Sequence, residues 1–248
     1  MALYKSKGIV LRSIRYGEAD RILDLYTHDY GMVSAIAKGI RRTRSRFGAR
    51  LEPLSCVDVM AYSGRSLDTV TQAEVLRSFH GVREHLGRLE AAGSMVRNVR
   101  ALSGGDEGDR RVFNLLYRSL ETLEERGAGF KSVEAAFGLK LATLAGYAPE
   151  LEACMSCGAS LEGTEGLLYY APVLGGILCA DCRAETAEAF PLPPGTLFGL
   201  RSLVSGPVKQ AVLEERLEES ARRVVGAHIL AHAPAATSLE PRPRVRPA

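Results

Sequence analysis

Four cysteines in the second half of the sequence have the spacing of a metal site. They form two Cys-x-x-Cys pairs separated by 21 residues. A tight turn with this spacing aims both sulfurs at one point, so two such turns supply the four thiolates of a tetrahedral zinc site. The predicted ligands are Cys154, Cys157, Cys179 and Cys182. Because four protein ligands leave no position for water or substrate, we expect the zinc ion to be structural.

Two other cysteine chemistries fit the same residues. A redox dithiol needs one such pair, usually beside a β-α-β unit, and the sequence has no pattern of that kind. Disulfides are disfavoured when a secretion signal is missing. A redox regulator that uses its Cys-x-x-Cys pairs is kept as an alternative. Cys56 stands apart from the four, and we expect it to be simply buried.

A histidine pair is a second candidate metal site. His228 and His232 lie four residues apart, which places them on one face of a helix. A metalloprotease helix would have glutamate directly after the first histidine, where this sequence has Ile229. We therefore expect a helix surface here and no metal.

A run of cations forms another candidate site. Residues 38–50 contain six lysines or arginines and no acidic residue. Guanidinium groups donate paired hydrogen bonds that suit phosphates, and aromatic side chains stack on bases. The nearby aromatic residues are Phe47, Tyr26, Tyr30 and Tyr62. The competing interpretation is a solvated charged loop with aromatic residues that belong to the core.

The positive charge is concentrated near the start of the chain. The whole sequence has a formal net charge of +3, yet residues 1–50 hold eleven cations against four acids. The remaining residues are therefore net negative. Such asymmetry indicates a polyanionic partner, although it says nothing about the fold.

Catalytic motifs are missing from the sequence. It has no GxxxxGK[ST] phosphate loop, no GxSxG elbow and no strand followed by GxGxxG. We expect a protein that is not an enzyme, with no catalytic residues and no small-molecule substrate.

The elements that must position these residues change type near residue 80. Five short segments are rich in β-branched and aromatic residues and are separated by turn residues. The predicted strands are 9–12, 21–27, 32–37, 57–62 and 69–76. Five strands in about eighty residues suit a small closed β-barrel such as an OB-fold, although an SH3-like barrel has a similar strand count. The basic run would be a loop between the third and fourth strands.

Helical periodicity dominates the rest of the chain. Apolar residues recur every three or four positions, and glycines or prolines end each stretch. The predicted helices are 86–102, 112–123, 133–144, 196–204 and 209–232. Between the third and fourth of them, 167–170 and 176–178 would pair as a hairpin and bring the cysteine pairs together as in a zinc ribbon.

The predicted fold class is therefore α+β, with an N-terminal OB-fold barrel followed by a helical domain that carries a zinc-ribbon-like insertion. The predicted domains are a DNA-binding barrel at 1–80 and a helical domain at 81–235, with the insertion at 150–185. Residues 236–248 alternate arginine with proline, which predicts a disordered tail. The first residues lack an apolar segment and no uncharged stretch is long enough to span a bilayer, so we expect a cytoplasmic protein without membrane contact.

The order of these parts, together with several short sequence segments, resembles the RecO family of bacterial DNA-repair mediators. The segments that carry the resemblance are Gly8 to Arg12, Tyr16 to Leu23, Ala37 to Arg42, Leu51 to Leu54, and Ala73-Glu74. The resemblance spans Gly8 to about His232. Its N-terminal part is more specific than the zinc pairs, which many unrelated proteins share.

The resemblance implies a function in DNA repair and recombination at the nucleoid. It implies binding of single- and double-stranded DNA, strand annealing and, together with RecR, helping RecA displace the single-strand-binding protein SSB. The DNA-contacting candidates carried over by position are Lys38, Arg41, Arg42, Arg44 and Arg46. SSB would dock through its acidic, apolar-ended C-terminal tail, on a basic-rimmed groove of the helical domain. The available cations there are Arg97, Arg100, Arg110, Arg111, Arg118 and Lys140. An RNA-binding zinc-ribbon protein of the translation apparatus is the second alternative, since barrels and ribbons also occur there.

Overall fold

The computed structural model describes residues 2–41, 45, 47, 50–103, 108–164 and 166–233. These residues fall into two compact units. The first unit takes in the described residues of Met1–Leu86 and Ser103–Glu124, and the second takes in those of Gly87–Leu102 and Glu125–Ala235.

The first unit is a five-stranded closed β-barrel. Its strands are β1 (Leu3–Tyr16), β2 (Asp20–Thr27), β3 (Gly31–Ala37), β4 (Cys56–Tyr62) and β5 (Asp68–Arg77). They close in the order β1-β2-β3-β5-β4, with β3 and β5 parallel and the other pairs antiparallel. The predicted OB-fold barrel is thus confirmed.

Alternation along the strands builds the barrel core. Leu23 and Leu25 of β2 point inward with Val33 and Ala35 of β3, and all four are almost completely buried. Residues between them point outward because successive side chains of a strand face opposite sides. Three residues from the loop after β3 also enter this core, namely Ile40, Phe47 and Leu51.

β1 is longer than the predicted strand 9–12. Its first half pairs with β4 and its second half with β2, so one strand of 14 residues serves two neighbours. Lys5 and Lys7 lie in the part of β1 ahead of the predicted strand, where the composition argues against a strand because lysine is depleted in strands.

Helix α3 (Arg110–Glu125) belongs to the same unit as the barrel. Arg77 at the end of β5 donates to Glu124 at 3.0 Å and also pairs with Glu121. Its guanidinium lies 5.0 Å from the ring centre of Phe79, which is fully buried. A four-residue helix, α1 (His80–Arg83), follows.

The second unit is helical with a small sheet. Its helices are α2 (Leu86–Leu102), α4 (Phe130–Leu144), α5 (Thr196–Ser205) and α6 (Glu215–His232). A three-stranded antiparallel sheet is inserted between α4 and α5, with β6 (Leu168–Ala171) in the centre between β7 (Gly176–Leu178) and β8 (Phe190–Leu192). The predicted hairpin is β6–β7, whereas β8 was not predicted. The predicted domain division at residue 80 stays a prediction.

Helix α6 begins at Glu215, not at residue 209 as the periodicity predicts. Arg126 donates to the backbone carbonyls of Lys209 and Ala211, both at 2.6 Å. The N–H of Leu213 donates to the Ser132 hydroxyl at 3.0 Å. Since these backbone groups are bound by side chains, the segment forms a short 3-10 turn (Val208–Gln210) and then an extended stretch.

Candidate nucleic-acid interface and metal centre

The two cysteine pairs meet beside the β6–β7 hairpin. Cys154 and Cys157 lie in a turn ahead of β6, Cys179 directly follows β7, and Cys182 lies in a 3-10 turn (Ala180–Glu185). All four sulfurs are within 4.8 Å of one another, and the Cys157 and Cys179 sulfurs are 3.9 Å apart. A tetrahedral zinc ion with Zn–S bonds of about 2.3 Å requires sulfurs about 3.8 Å apart. The cluster therefore has the size and donor set of a site that can hold a metal ion.

Local backbone geometry folds the first cysteine pair into a tight turn. Gly158 has φ +71°, a left-handed conformation that glycine adopts without strain, and its N–H donates to the Cys154 carbonyl at 2.9 Å. The Cys154 N–H donates to the carbonyl of Ala159 at 2.9 Å. In the second pair, the Cys182 N–H donates to the Cys179 carbonyl at 3.2 Å.

Electrostatics favour one thiolate in the cluster but oppose another. Burial opposes ionisation of Cys154, yet backbone N–H groups, first that of Cys179 at 3.4 Å, outweigh it and lower the pKa of Cys154 to about 6. The pKa of Cys182 is raised to about 12. The Ser156 hydroxyl favours its thiolate, but the adjacent thiols, Cys179 first, and burial together outweigh that effect. Four thiolates together need a cation among them, which a divalent metal ion supplies.

Polar contacts tie the sheet and the segment ahead of it to the helices. Arg201 of α5 donates to the Leu151 carbonyl from Nε at 3.0 Å and from a terminal nitrogen at 2.7 Å. Tyr170 of β6 is hydrogen-bonded to His228 of α6. The expectation that His228 lies on a helix surface is wrong, because the sheet covers it and leaves it 2 % exposed.

The basic run begins against the β1–β2 turn. Lys38 follows β3 and is exposed, as is Arg41. The Arg41 N–H donates to the Ala19 carbonyl at 2.9 Å, and its guanidinium donates to the Gly17 carbonyl at 3.4 Å. The other three predicted DNA contacts, Arg42, Arg44 and Arg46, lie outside the described residues.

Two further cations lie next to this turn. Arg15 and Arg21 are directly opposite each other in the β1–β2 ladder. Arg21 donates to the Ser13 hydroxyl at 3.2 Å and lies 3.6 Å from Glu52, whereas Arg15 is exposed. Like charges in this arrangement destabilise a sheet, which is a reason to look for an anionic ligand. The sequence alone does not predict this pair, because it depends on the register of β1 against β2.

The aromatic residues near the basic run divide into two groups. Phe47 and Tyr26 are 1 % and 2 % exposed, so they belong to the core and cannot stack on bases. Tyr62 is 42 % exposed, and Tyr16, which the sequence interpretation missed, is 53 % exposed.

The helical unit contains a cleft of about 550 Å³ among α2, α4, α6 and β8. Pro191, Pro193 and Val225 give it apolar walls, while its charged lining consists of Arg222, Arg223, Glu134 and Glu219. Arg222 donates to Glu134 at 2.9 Å, whereas the guanidinium of Arg223 lies 4.0 Å from the ring centre of Phe190. Neither arginine is among the cations predicted from the sequence for such a groove.

The cations predicted for a groove on the helical domain are in part occupied. Lys140 donates to the Val204 carbonyl at 2.5 Å and so caps the end of α5. Arg110 pairs with Asp29 at 3.0 Å, and Arg111 pairs with Asp109 at 2.8 Å. Both arginines lie in the barrel unit.

None of the helices in the described ranges has the length and apolarity that crossing a membrane requires.

Comparison with known proteins covers nearly the whole sequence. Residues 1–79 match the family model Recombination protein O N terminal, and residues 83–238 match Recombination protein O C terminal. A DNA repair protein RecO from Rubrobacter xylanophilus is 64 % identical over 240 residues, which is 96 % of each chain. The DNA repair protein RecO of Symbiobacterium thermophilum is 37 % identical over 93 % of this chain and 92 % of its own. That of Thermobifida fusca is 42 % identical over 74 % of each.

Proposed function

Because the chain belongs to the RecO family of DNA repair proteins, we propose that it acts as a recombination mediator. In this function it binds single- and double-stranded DNA and anneals complementary strands. With RecR it helps RecA assemble on single-stranded DNA that SSB covers. The observation that carries the proposal is the OB-fold barrel, in which Arg15 and Arg21 are opposite each other beside the β1–β2 turn and Arg41 donates to the Gly17 carbonyl of that turn.

The proposed DNA site lies on the barrel around that turn. Lys38 and Arg41 begin it, Arg42, Arg44 and Arg46 continue it along the chain, and Arg15 and Arg21 extend it onto the strands. OB-folds bind oligonucleotides on the face of their second and third strands. Arg21 lies on β2, and Lys38 directly follows β3. Arginine guanidinium groups donate paired hydrogen bonds to phosphate oxygens, so these contacts contribute affinity without sequence preference.

Annealing follows from charge neutralisation. Two DNA strands repel each other through their phosphates, and each strand keeps a layer of condensed counterions. A protein that neutralises phosphates releases those ions and lowers the repulsion, after which base pairing drives the reaction. No nucleotide hydrolysis is needed, in agreement with a sequence that lacks a phosphate loop.

We assign the acidic, apolar-ended tail of SSB to the cleft of the helical unit. Its proline and valine walls suit an apolar chain end, and Arg223 is an exposed cation beside them. Arg222 pairs with both acids of the cleft lining, Glu134 and Glu219, so we expect Arg223 to contribute more of the attraction. RecR is the other proposed protein partner, and we propose the nucleoid in the cytoplasm as the place of action.

The proposed metal is a structural zinc ion held by Cys154, Cys157, Cys179 and Cys182. It would supply no chemistry to DNA, since four sulfur ligands close the site. Its effect would be to join the turn before β6 to the segment after β7.

A strand-annealing assay on SSB-coated DNA, with no ATP present, tests the proposal. We expect the protein to accelerate annealing of complementary strands. A folded protein that failed to anneal them and that preferred RNA over DNA of equal length would favour the RNA-binding alternative. Zinc loss and disulfide formation under mild oxidant, together with changed activity, would favour the redox alternative.

A further inference from the structure

The outer face of β1, β2 and β3 carries a row of three isoleucines. Since Leu23 and Val33 point into the core, the residues that alternate with them point outward. In the strand register, Ile14 is opposite Ile22, and Ile22 is opposite Ile36. Ile14 is 38 % exposed, and the other two are partly exposed. The row therefore forms an apolar strip that crosses three strands.

Cations lie on both sides of this strip. Arg12 is one outward position away from Ile14 along β1, and on the opposite side Lys38 follows β3 and Arg41 packs against the β1–β2 turn. The face also holds two acids, of which Asp24 is directly opposite Arg12 in the β1–β2 register. Asp20 accepts the N–H of Gly39 at 2.7 Å, and Asp24 accepts the Ser34 hydroxyl at 3.1 Å.

The centre of the strip differs from a stacking platform. Proteins that sequester single strands place aromatic rings under successive bases, and each stacked base raises affinity by roughly 5-fold or more. Here the central row is aliphatic. Of the two tyrosines that point outward on these strands, Tyr26 is buried and Tyr16 is one outward position from Ile14, so it lies beside the row and not in it.

We propose that this face holds single-stranded DNA by its backbone and leaves the bases unstacked and free to pair. Phosphates would lie on Arg12, Lys38 and Arg41, with sugars against the isoleucine row. The inference rests on the proposed DNA-binding function and deepens it. A strand held in this way needs no unstacking from protein before it meets its complement, so binding and annealing do not compete.

Permanganate oxidation of oligo(dT) tests the inference, because the reagent attacks thymines that are not stacked. With the wild-type protein bound, we expect thymines to react as fast as in free DNA. Ile22→Phe should protect them, tighten single-strand binding about 5-fold and slow annealing. Ile22→Val keeps the row aliphatic and should behave as the wild type. Ile14→Phe, at the most exposed position of the row, provides a second variant if Ile22→Phe melts early.

The outcomes separate this inference from the proposed function. Absence of single-strand binding by the folded protein would overturn both. Binding with protected thymines in the wild type would overturn this inference alone, as would phenylalanine variants that neither tighten binding nor slow annealing.

Discussion

The hydroxyl of Tyr170 donates a hydrogen bond of 2.6 Å to Nδ1 of His228. Nε2 of His228 lies 2.7 Å from the backbone carbonyl of Tyr147, and since a carbonyl only accepts, Nε2 carries the ring proton. Both nitrogens of the ring are thus engaged, and none remains for a metal ion. Burial lowers the pKa of His228 against the opposing effect of the Tyr147 carbonyl, and nearby His232 lowers it further. The neutral histidine joins β6 to α6.

Replacing Tyr170 by phenylalanine should weaken this junction. The variant keeps the ring but leaves Nδ1 of a buried histidine without its donor, which costs about 1–3 kcal/mol. Tyr169→Phe is the matched control, because Tyr169 is partly exposed and contacts Arg183 through its ring. Urea unfolding of the metal-loaded proteins measures the difference. Equal stability of the two variants would show that the hydrogen bond contributes nothing.

Local sequence patterns predicted the barrel and the positions of the cysteines well. The predicted strands are rich in β-branched, apolar and aromatic residues and are separated by turn residues, and such composition depends only on the local segment. The Cys-x-x-Cys turns are equally local, so their geometry follows from spacing. Neither prediction required knowledge of distant parts of the chain.

The sequence did not predict features that depend on residues far away along the chain. The burial of His228 depends on β6, which lies some sixty residues earlier in the chain. The start of α6 depends on Arg126, whose guanidinium binds two carbonyls of the preceding segment. The pairing of Arg15 with Arg21 needs a strand register, and the length of β1 needs its two neighbours. Periodicity in one segment carries no information about such contacts.

Removal of the metal ion should destabilise the second unit. We expect one zinc ion per chain, lost in Cys154→Ser and Cys179→Ser, with a lower melting temperature and lower solubility because binding energy of the metal is folding energy. Cys56→Ala should keep its zinc, since Cys56 is buried in the barrel unit and burial raises the pKa of its thiol to about 11. Metal content and melting curves provide the measurement. Stable cysteine variants that bind DNA but cannot anneal it would give the metal a role beyond folding.

The salt dependence of single-strand binding should show how many cations of the basic run contact phosphates. If about five of its cations contact phosphates, affinity should fall about 100-fold between 50 and 200 mM salt. Replacing Arg41, Arg42, Arg44 and Arg46 by alanine should flatten the slope, and Arg41→Ala alone should reduce it by about 0.7. Arg216→Ala removes an exposed cation of the helical unit, which pairs only with Glu214 and the Pro194 carbonyl among the described residues, and should leave the slope unchanged. Unchanged slopes in all variants would mean that the run is merely solvated.

Arg15→Ala should move DNA affinity and stability in opposite directions. Arg15 and Arg21 are like charges at directly opposite positions, so removing one relieves a repulsion of roughly 0.2–1 kcal/mol. The same change removes one phosphate contact, and the salt slope should decrease by about 0.7. Melting curves and fluorescence anisotropy on a labelled oligonucleotide measure the two effects. A variant that loses both stability and affinity would show that Arg15 is structural.

Gly138 in α4 should not tolerate a side chain. A Cβ atom there would lie 2.3 Å from Cγ1 of Val225 in α6, so Gly138→Ala forces the two helices apart. Overpacking costs about 1–3 kcal/mol and exceeds the gain of roughly 1 kcal/mol that alanine brings to a helix. Val225→Ala removes the clashing methyl group, and the remaining neighbours of the new Cβ are 3.6 Å away. The double variant should therefore be less destabilised than the sum of the single variants, with a coupling of about 1–2 kcal/mol by urea unfolding.

Gly226→Ala is the control, because a Cβ at that helix position meets nothing within 4 Å and alanine should stabilise the protein. Additive effects of Gly138→Ala and Val225→Ala would contradict the close approach of α4 and α6 at this point.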